Sequence, residues 1–230
     1  MKQGKLPSIS ALGRIGVTSC IVLEILLASG CAVTPPQVDP YSTLLPTGQK
    51  VVDRPTTFSA ASLKGETAYL VVGANFVSYV DAWTSFQKNA EKGGNLAYSQ
   101  EFLLQVQDQW SPARTTALVV TSLRKHFRDI VVVDDLAEAR AKRAKWVLVF
   151  DHAFVQASTA TATWTNSTSI DLLDGSFRRT VAIAVSEHKD YGAAWSERDV
   201  QRFAKNRGDD VLRSVNAAIN QFDTKLLVSR

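Results

Sequence analysis

The 230-residue sequence predicts a mixed α/β fold: one mixed sheet with parallel crossover strands, then an antiparallel meander, with helices packed on one face. Three observations predict it. Between residues 67 and 150, short apolar runs alternate with stretches of helical spacing over short connections, the order of right-handed crossovers. After Asp151 the pattern becomes an alternation of apolar and polar residues, as in antiparallel strands with one solvated face. The last twenty residues return to helical spacing.

Taken in order, residues 68–72 (AYLVV) form a short buried strand that ends at Gly73. Residues 76–92 and 96–110 have helix-like spacing, as in Phe102, Val106 and Trp110, but Gly93 and Gly94 separate them and leave their assignment open. Ser111 is a good N-cap, and Pro112 suits the first helical position, where a missing N–H costs nothing. Ala113, Ala117, Val120, Leu123 and Phe127 then make the inward stripe. Residues 130–133 are a β-branched run, Asp134 or Asp135 caps a short helix carrying Leu136, Ala139 and Arg140, and residues 146–150 are the next strand. From 160 to 172, Ala160, Ala162, Trp164, Ile170 and Leu172 share one parity, while Thr161, Thr163, Thr165, Ser167 and Ser169 take the other. Asp174-Gly175 is a pair that tight hairpins favour, and Val181, Ile183 and Val185 point inward from the strand that follows. Ser196 with Asp199 resembles a capping box; an interruption is expected at Gly208, with Asp209 or Asp210 starting the last helix. Val211, Val215, Ala218, Ile219 and Phe222 lie on one side of it, and burying each large member contributes roughly 1.5–3 kcal/mol, enough to dock this helix on the sheet.

Ahead of this domain the chain opens like an export signal. Lys2, Lys5 and Arg14 precede a mostly apolar run over residues 15–27. The run is shorter than the roughly 20 residues that span a bilayer. Glu24 interrupts it, and a charge at a helix centre costs roughly 2.5–3.5 kcal/mol on insertion, so a permanent span is disfavoured. The segment LLASGCAVTPP, residues 26–36, has two readings. Ala28-Ser29-Gly30 suits an ordinary small-residue cleavage site; together with Cys31 it resembles the lipobox of bacterial lipoproteins. That resemblance implies a diacylglycerol on the Cys31 thiol, cleavage before it and acylation of the new amino terminus. Ala28 where leucine is usual, and Glu24 in the apolar run, depart from the pattern. Val17-Thr18-Ser19-Cys20 has similar letters, but Arg14 would fall in its apolar region, so Cys20 reads as a passenger of the leader. Ala32 after the cysteine, rather than Asp, resembles Gram-negative sorting to the outer membrane. Stable attachment takes more than one acyl chain, at about 0.8 kcal/mol per buried CH₂.

The expected organisation is a signal peptide over 1–30, a lipidated cysteine with a proline-rich tether over 31–62, and one mixed α/β periplasmic domain over 63–230. Pro35, Pro36, Pro40, Pro46 and Pro55 stiffen the tether, which at up to about 3.1 Å per residue holds the domain several nanometres from the lipid. The alternative is that part of it, around Val51 and Phe58, lies down on the domain. Removing Lys2, Lys5, Arg14 and Glu24 from 26 basic and 22 acidic residues leaves 23 and 21, a mature charge of +2. That composition does not supply the concentrated basic face that nucleic acid needs. No cysteine follows Cys31, so an exported domain must hold together by packing, for which 45% hydrophobic residues and five tryptophans suffice.

Motifs for chemistry are sparse. His126, His152 and His188 have no second ligand at metal-binding spacing. Asp151-His152 at a strand end would orient a general base only if both side chains converged, and adjacent strand residues point to opposite faces. Asp134 and Asp135 with Asp151 would suit a divalent cation, but a helix cap already explains one of the first two. Nucleophile elbow, P-loop and dinucleotide fingerprint are not found in the sequence. The expectation is no catalytic residue, no cofactor and no metal. Arg140, Lys142, Arg143 and Lys145 beside Trp146, and Arg178-Arg179, read as solvated faces, and Asn166-Ser167-Thr168 is a glycosylation sequon by letters only.

The least ordinary feature is the small polar face of Thr161, Thr163 and Thr165 beside Thr180, Ala182 and Ala184 on the next strand. Such a face sees water or receives a partner, and its edge could accept an added strand. Through residues 27–31 and the tether the chain resembles small Gram-negative outer-membrane lipoproteins. In element order from Ser111 onward it also resembles the mixed α/β domains of the curli-secretion lipoprotein and of the Tol periplasmic protein's amino-terminal domain. What this implies is a non-enzymatic, lipid-anchored binding or scaffolding module on the periplasmic face of the outer membrane. Its partners would be membrane lipid through acylated Cys31 and another envelope protein. The rivals are a lipid or amphiphile binder, for which a pocket of Phe150, Phe154 and Trp164 with an escorting Arg would speak, and a hydrolase.

Overall fold

The computed structural model describes residues 37–46, 49–53, 60–91, 111–158, 163–190 and 197–228. The expected signal peptide, Cys20, Cys31, Phe58, the stretch 96–110, Thr161 and Ser196 lie outside them. The elements run α1 Ala60–Leu63, β1 Thr67–Val72, α2 Ala74–Glu91, α3 Pro112–Leu123, β2 Asp129–Val132, α4 Leu136–Ala141, β3 Trp146–Ser158, β4 Thr163–Asp174, β5 Arg179–Asp190 and α5 Glu197–Val228. The strands form one sheet in the order β2-β1-β3-β4-β5. β1 pairs in parallel with β2 and β3, and β3, β4 and β5 are antiparallel, so the fold is the expected mixed α+β class.

Strand alternation divides the core in two. Leu70, Leu148, Phe150, Ile170, Leu172 and Ile183 meet Leu63 of α1, Phe76 of α2, Val119 and Leu123 of α3, and Val215 and Phe222 of α5. Tyr41, Val71, Val147, Val149 and Leu173 form the second cluster on the outer face, with Leu136 and Ala139 of α4, which joins this side rather than the other helices' face. Both faces of β1 and of the first half of β3 are covered, which is why those strands read as continuous apolar runs.

Three details differ from the expected pattern. The buried positions of α3 are Pro112, Thr115, Val119 and Leu123, while Ala113 and Ala117 are exposed. Val119 and Leu123 bury more apolar area than alanines can, and they bring Thr115 inward with them. α5 runs unbroken through Gly208. A mid-helix glycine costs about 1 kcal/mol, which the packing of Val211, Val215 and Phe222 outweighs. Asp209 and Asp210 are helical residues paired with Lys205 and Arg213 rather than caps. Finally, the β4–β5 connection is longer than a two-residue hairpin. The Asp174 carboxylate accepts from Ser176 N (2.9 Å) and Arg178 N (3.0 Å), and Phe177 takes a left-handed φ of 57°.

The free edge of β5 is partly occupied. Arg179 N donates to Val52 O at 2.9 Å in a parallel bridge with Asp53, and Lys225 Nζ of α5 donates to Ala182 O at 2.7 Å.

Candidate functional site

Residues 37–46 and 49–53 lie across the outer face of the sheet. Asn75, in the first turn of α2, accepts from Val38 N through Oδ1 and donates to Val38 O through Nδ2, both at 2.9 Å, as a neighbouring strand would. Ala74 N donates to Pro40 O at 2.9 Å. Tyr41 is buried and its hydroxyl donates to Asp171 Oδ2 at 2.6 Å. At the far end Arg179 Nε donates to Asp53 Oδ1 at 2.6 Å, and Leu44, Leu45 and Val51 cover the sheet between. In these residues the stretch expected as tether takes its alternative form, packed on the domain. We call it the strap.

The strap leaves open a groove of about 510 Å³ beside it. Its floor is Ser167 and Ser169 of β4 with Ala182 and Ala184 of β5, and Asp39 and Lys50 stand on the strap side. Asp151 and Asp171 also line it, the second with Arg179. The register puts Asp151, Ser169 and Ala184 in one row across three strands, and Asp171 opposite Ala182 in another.

Both carboxylates are already engaged. Asp151 accepts from Phe76 N at 2.9 Å and Asn75 Nδ2 at 2.6 Å, closing the first turn of α2. This is the switch point between β1 and β3, where a helix N-terminus commonly takes an anion. Here the chain supplies its own. Gly73 is required by that approach, because a Cβ there would sit 2.6 Å from Asp151 Cβ. Burial pushes the Asp151 carboxyl up, and its Asn75, Phe76 and further backbone donors pull against the rise. Asp171 is likewise raised by burial, opposed by the Tyr41 hydroxyl and Arg179, whose Nη1 lies 3.3 Å away. Burial and the Asp171 carboxylate also raise Tyr41, so its hydroxyl stays a donor.

The residues singled out in sequence meet this groove unequally. Ala182 and Ala184 line it. Thr165 Oγ1 lies 2.8 Å from His188 Nδ1 on the exposed part of the hairpin, and Thr180 Oγ1 donates to Leu172 O at the β4–β5 irregularity. Thr163 is paired through its backbone with Asp190, and Thr161 lies outside the described residues. Asp171, Tyr41 and Lys50 carry no such expectation, and Arg179, expected with Arg178 on a solvated face, is instead partly buried at the groove, paired with Asp53 and Asp171. Asp171 continues the parity of Thr165, Ser167 and Ser169, which was the available signal; the strap residues carried none.

Asp151 and His152 diverge as strand geometry requires. His152 faces α5, 1% exposed, with Nδ1 2.9 Å from Thr168 Oγ1, itself 2.7 Å from Ser214 Oγ. Its Nε2 is buried with no hydrogen-bond partner among the described residues. Burial, aided by the Arg207 charge, lowers the imidazole to about 3, so it is neutral and a weak base. Phe154 stacks on Trp164 with centroids 4.6 Å apart, and the Arg207 guanidinium covers the Phe154 ring at 4.0 Å. Phe150 instead packs edge-on against Phe76.

Of the acids weighed for a cation, Asp135 caps α4 by accepting from Glu138 N at 2.7 Å and Asp151 closes the first turn of α2, while the backbone N–H of Asp134 donates to Glu138 Oε2 at 2.9 Å. Among the described residues no group of three or more His, Cys, Asp or Glu is arranged to hold a metal ion. Of the basic cluster, Lys142 pairs with Glu138, Lys145 with Glu66, and Arg140 lies over Phe177. No described helix is long and apolar enough to cross a membrane.

No family model matches the chain, and no curated protein matches it. Among solved structures it is similar to a PelC variant dodecamer from Paraburkholderia phytofirmans, at 13% identity and a TM-score of 0.34 over 66% of this chain and 89% of that one. A second PelC dodecamer structure from the same organism gives 14% and 0.32, over 62% and 86%. A Xanthomonas campestris protein of the DUF330 family gives 9% and 0.27, over 76% and 95%. At this similarity these likenesses fix neither family nor function.

Proposed function

We propose that this chain is an exported, lipid-anchored binding or scaffolding module of the bacterial cell envelope, carried on the periplasmic face of the outer membrane through acylated Cys31. The groove between strap and sheet is its binding site. The observation that carries the reading is the groove itself, floored by Ala182 and Ala184. Small side chains let a partner's backbone come close, and carboxylates and cations at its walls give polar groups something to meet. The engaged state of Asp151 and Asp171 suits holding a ligand better than moving its protons. The test is Ala182→Lys with Ala184→Lys: partner recovery after crosslinking in intact cells should be abolished with thermal stability unchanged. Full recovery would retire the groove.

A second reading, a binder of lipid or another amphiphile, draws on the Phe154–Trp164 stack and Arg207, the aromatic pair and escorting arginine that such a site would use. It predicts that Arg207→Gln lowers retention of a fluorescent fatty acid. The Ala182/Ala184 changes should leave that retention untouched.

A further inference from the structure

We infer that the uncovered part of β5 pairs with the same strand of a second copy of this chain, antiparallel about a two-fold axis at His188. This goes beyond the groove reading and does not rest on the lipid anchor. Lys225 Nζ donates to Ala182 O from outside the strand order, so the backbone N–H and C=O of Ala182 face the free edge of the sheet. Antiparallel alternation turns those of Ala184, Ser186 and His188 the same way. All three residues are exposed, and among the described residues no strand pairs with this part of β5. Past the strap's bridge at Arg179 and the lysine at Ala182, the ladder is open.

Charge selects what closes it. Glu187 and Lys189 share the inner parity of Ile183, half-buried, and neither has an ion pair among the described residues; Glu187 Oε2 is buried with no hydrogen-bond partner there. In an antiparallel pair centred on His188, Glu187 stands opposite the second copy's Lys189, and Lys189 opposite its Glu187. These are the non-hydrogen-bonded positions, where Cα atoms are about 4.5 Å apart and side chains stand closer, and opposite charges there favour pairing. His188 exchanges both backbone bonds with the same residue of the second copy. Moving the axis by one residue sets Glu187 against Glu187, or Lys189 against Lys189, and like charges directly opposite oppose pairing. Charged side chains discourage most strands from an edge, but this arrangement is satisfied at both positions by its own sequence. A two-fold axis perpendicular to the sheet keeps like faces together. The two five-stranded sheets become continuous, with both grooves on one side and their Ala182 and Ala184 toward the axis.

The test puts one added cysteine into the full chain, as His188→Cys or as Ser186→Cys, and oxidises intact cells with copper–phenanthroline. A hydrogen-bonded antiparallel pair has Cα atoms about 5.5 Å apart, inside the disulfide range. In this register the two copies of position 186 stand four residues apart along the strands, about 14 Å, too far to bridge. Wild type gives the background from Cys20 and Cys31. Disulfide-linked dimer on non-reducing gels should exceed that background by about tenfold at position 188, where alone the thiols meet disulfide geometry, and should not exceed it at 186. Adding Glu187→Lys to the 188 variant should remove the excess, and adding Lys189→Glu as well should restore it. Equal dimer at 186 and 188, or none above background at 188, overturns the pairing. An excess that the double change does not restore overturns the register, and the inference with it.

Discussion

Acid should loosen this domain through His152. The unfolded chain takes up a proton on that imidazole below its ordinary value of 6.5, whereas the folded chain resists until about 3, because the ring is enclosed and Arg207 adds positive charge. Its neighbours from the other elements, Thr168 of β4, Ser214 of α5 and Tyr79 of α2 with ring centroids 6.4 Å apart, bring no compensating negative charge. A depressed base contributes stability above its unfolded value and loses it as pH falls. Each tenfold in proton affinity is about 1.4 kcal/mol, so the loss between pH 6.5 and 3 reaches roughly 5 kcal/mol, a large part of the ~5–15 kcal/mol of a typical domain. Asp151 and Asp171 act in the opposite direction, because their raised carboxyls take up protons in the folded chain first. The comparison is therefore between wild type and His152→Gln, which keeps a polar group for Thr168 and does not titrate. Urea unfolding from pH 7.5 to 4.5 should give a wild-type stability that declines faster than the variant's below 6.5, approaching about 1.4 kcal/mol per pH unit. Parallel curves would mean that the folded imidazole reaches water, and the reasoning would fail.

Gly73→Ala forces a methyl into the Asp151 side chain and should cost about 1–3 kcal/mol by thermal unfolding; an unchanged melting temperature would show that the contact is slack. Tyr41→Phe removes the donor to Asp171 and should cost about 1–3 kcal/mol, with faster amide exchange confined to the strap. Asp135→Ala deletes the α4 cap and should cost about 1 kcal/mol in urea unfolding, with partner recovery intact.

The faces of the strands are legible in the sequence because parity is enforced by burial. Ile170 and Leu172 have to meet the helices, so Ser167 and Ser169 have to face away. The helices are less so: the alanines of α3 suit either side, and Gly208 reads as a stop because its cost is local while its compensation comes from the sheet. The groove was half legible. Ala182 and Ala184 carry the parity signal, whereas the strap that makes a groove of a flat face is written as scattered Tyr, Leu and Val among prolines. Only tertiary contact gives such residues a side. Asp171 and Arg179 belong to the same class, since their pairing spans the β4–β5 turn and joins a strap residue 126 positions from Arg179.

The covered start of β5 has a consequence for contact between copies of this chain. A bare strand margin would let two of them stitch together rung by rung. Asp53 and the Lys225 ammonium cover the first of those rungs, so a strand added to this sheet would have to pair farther along β5 or at β2, the other margin.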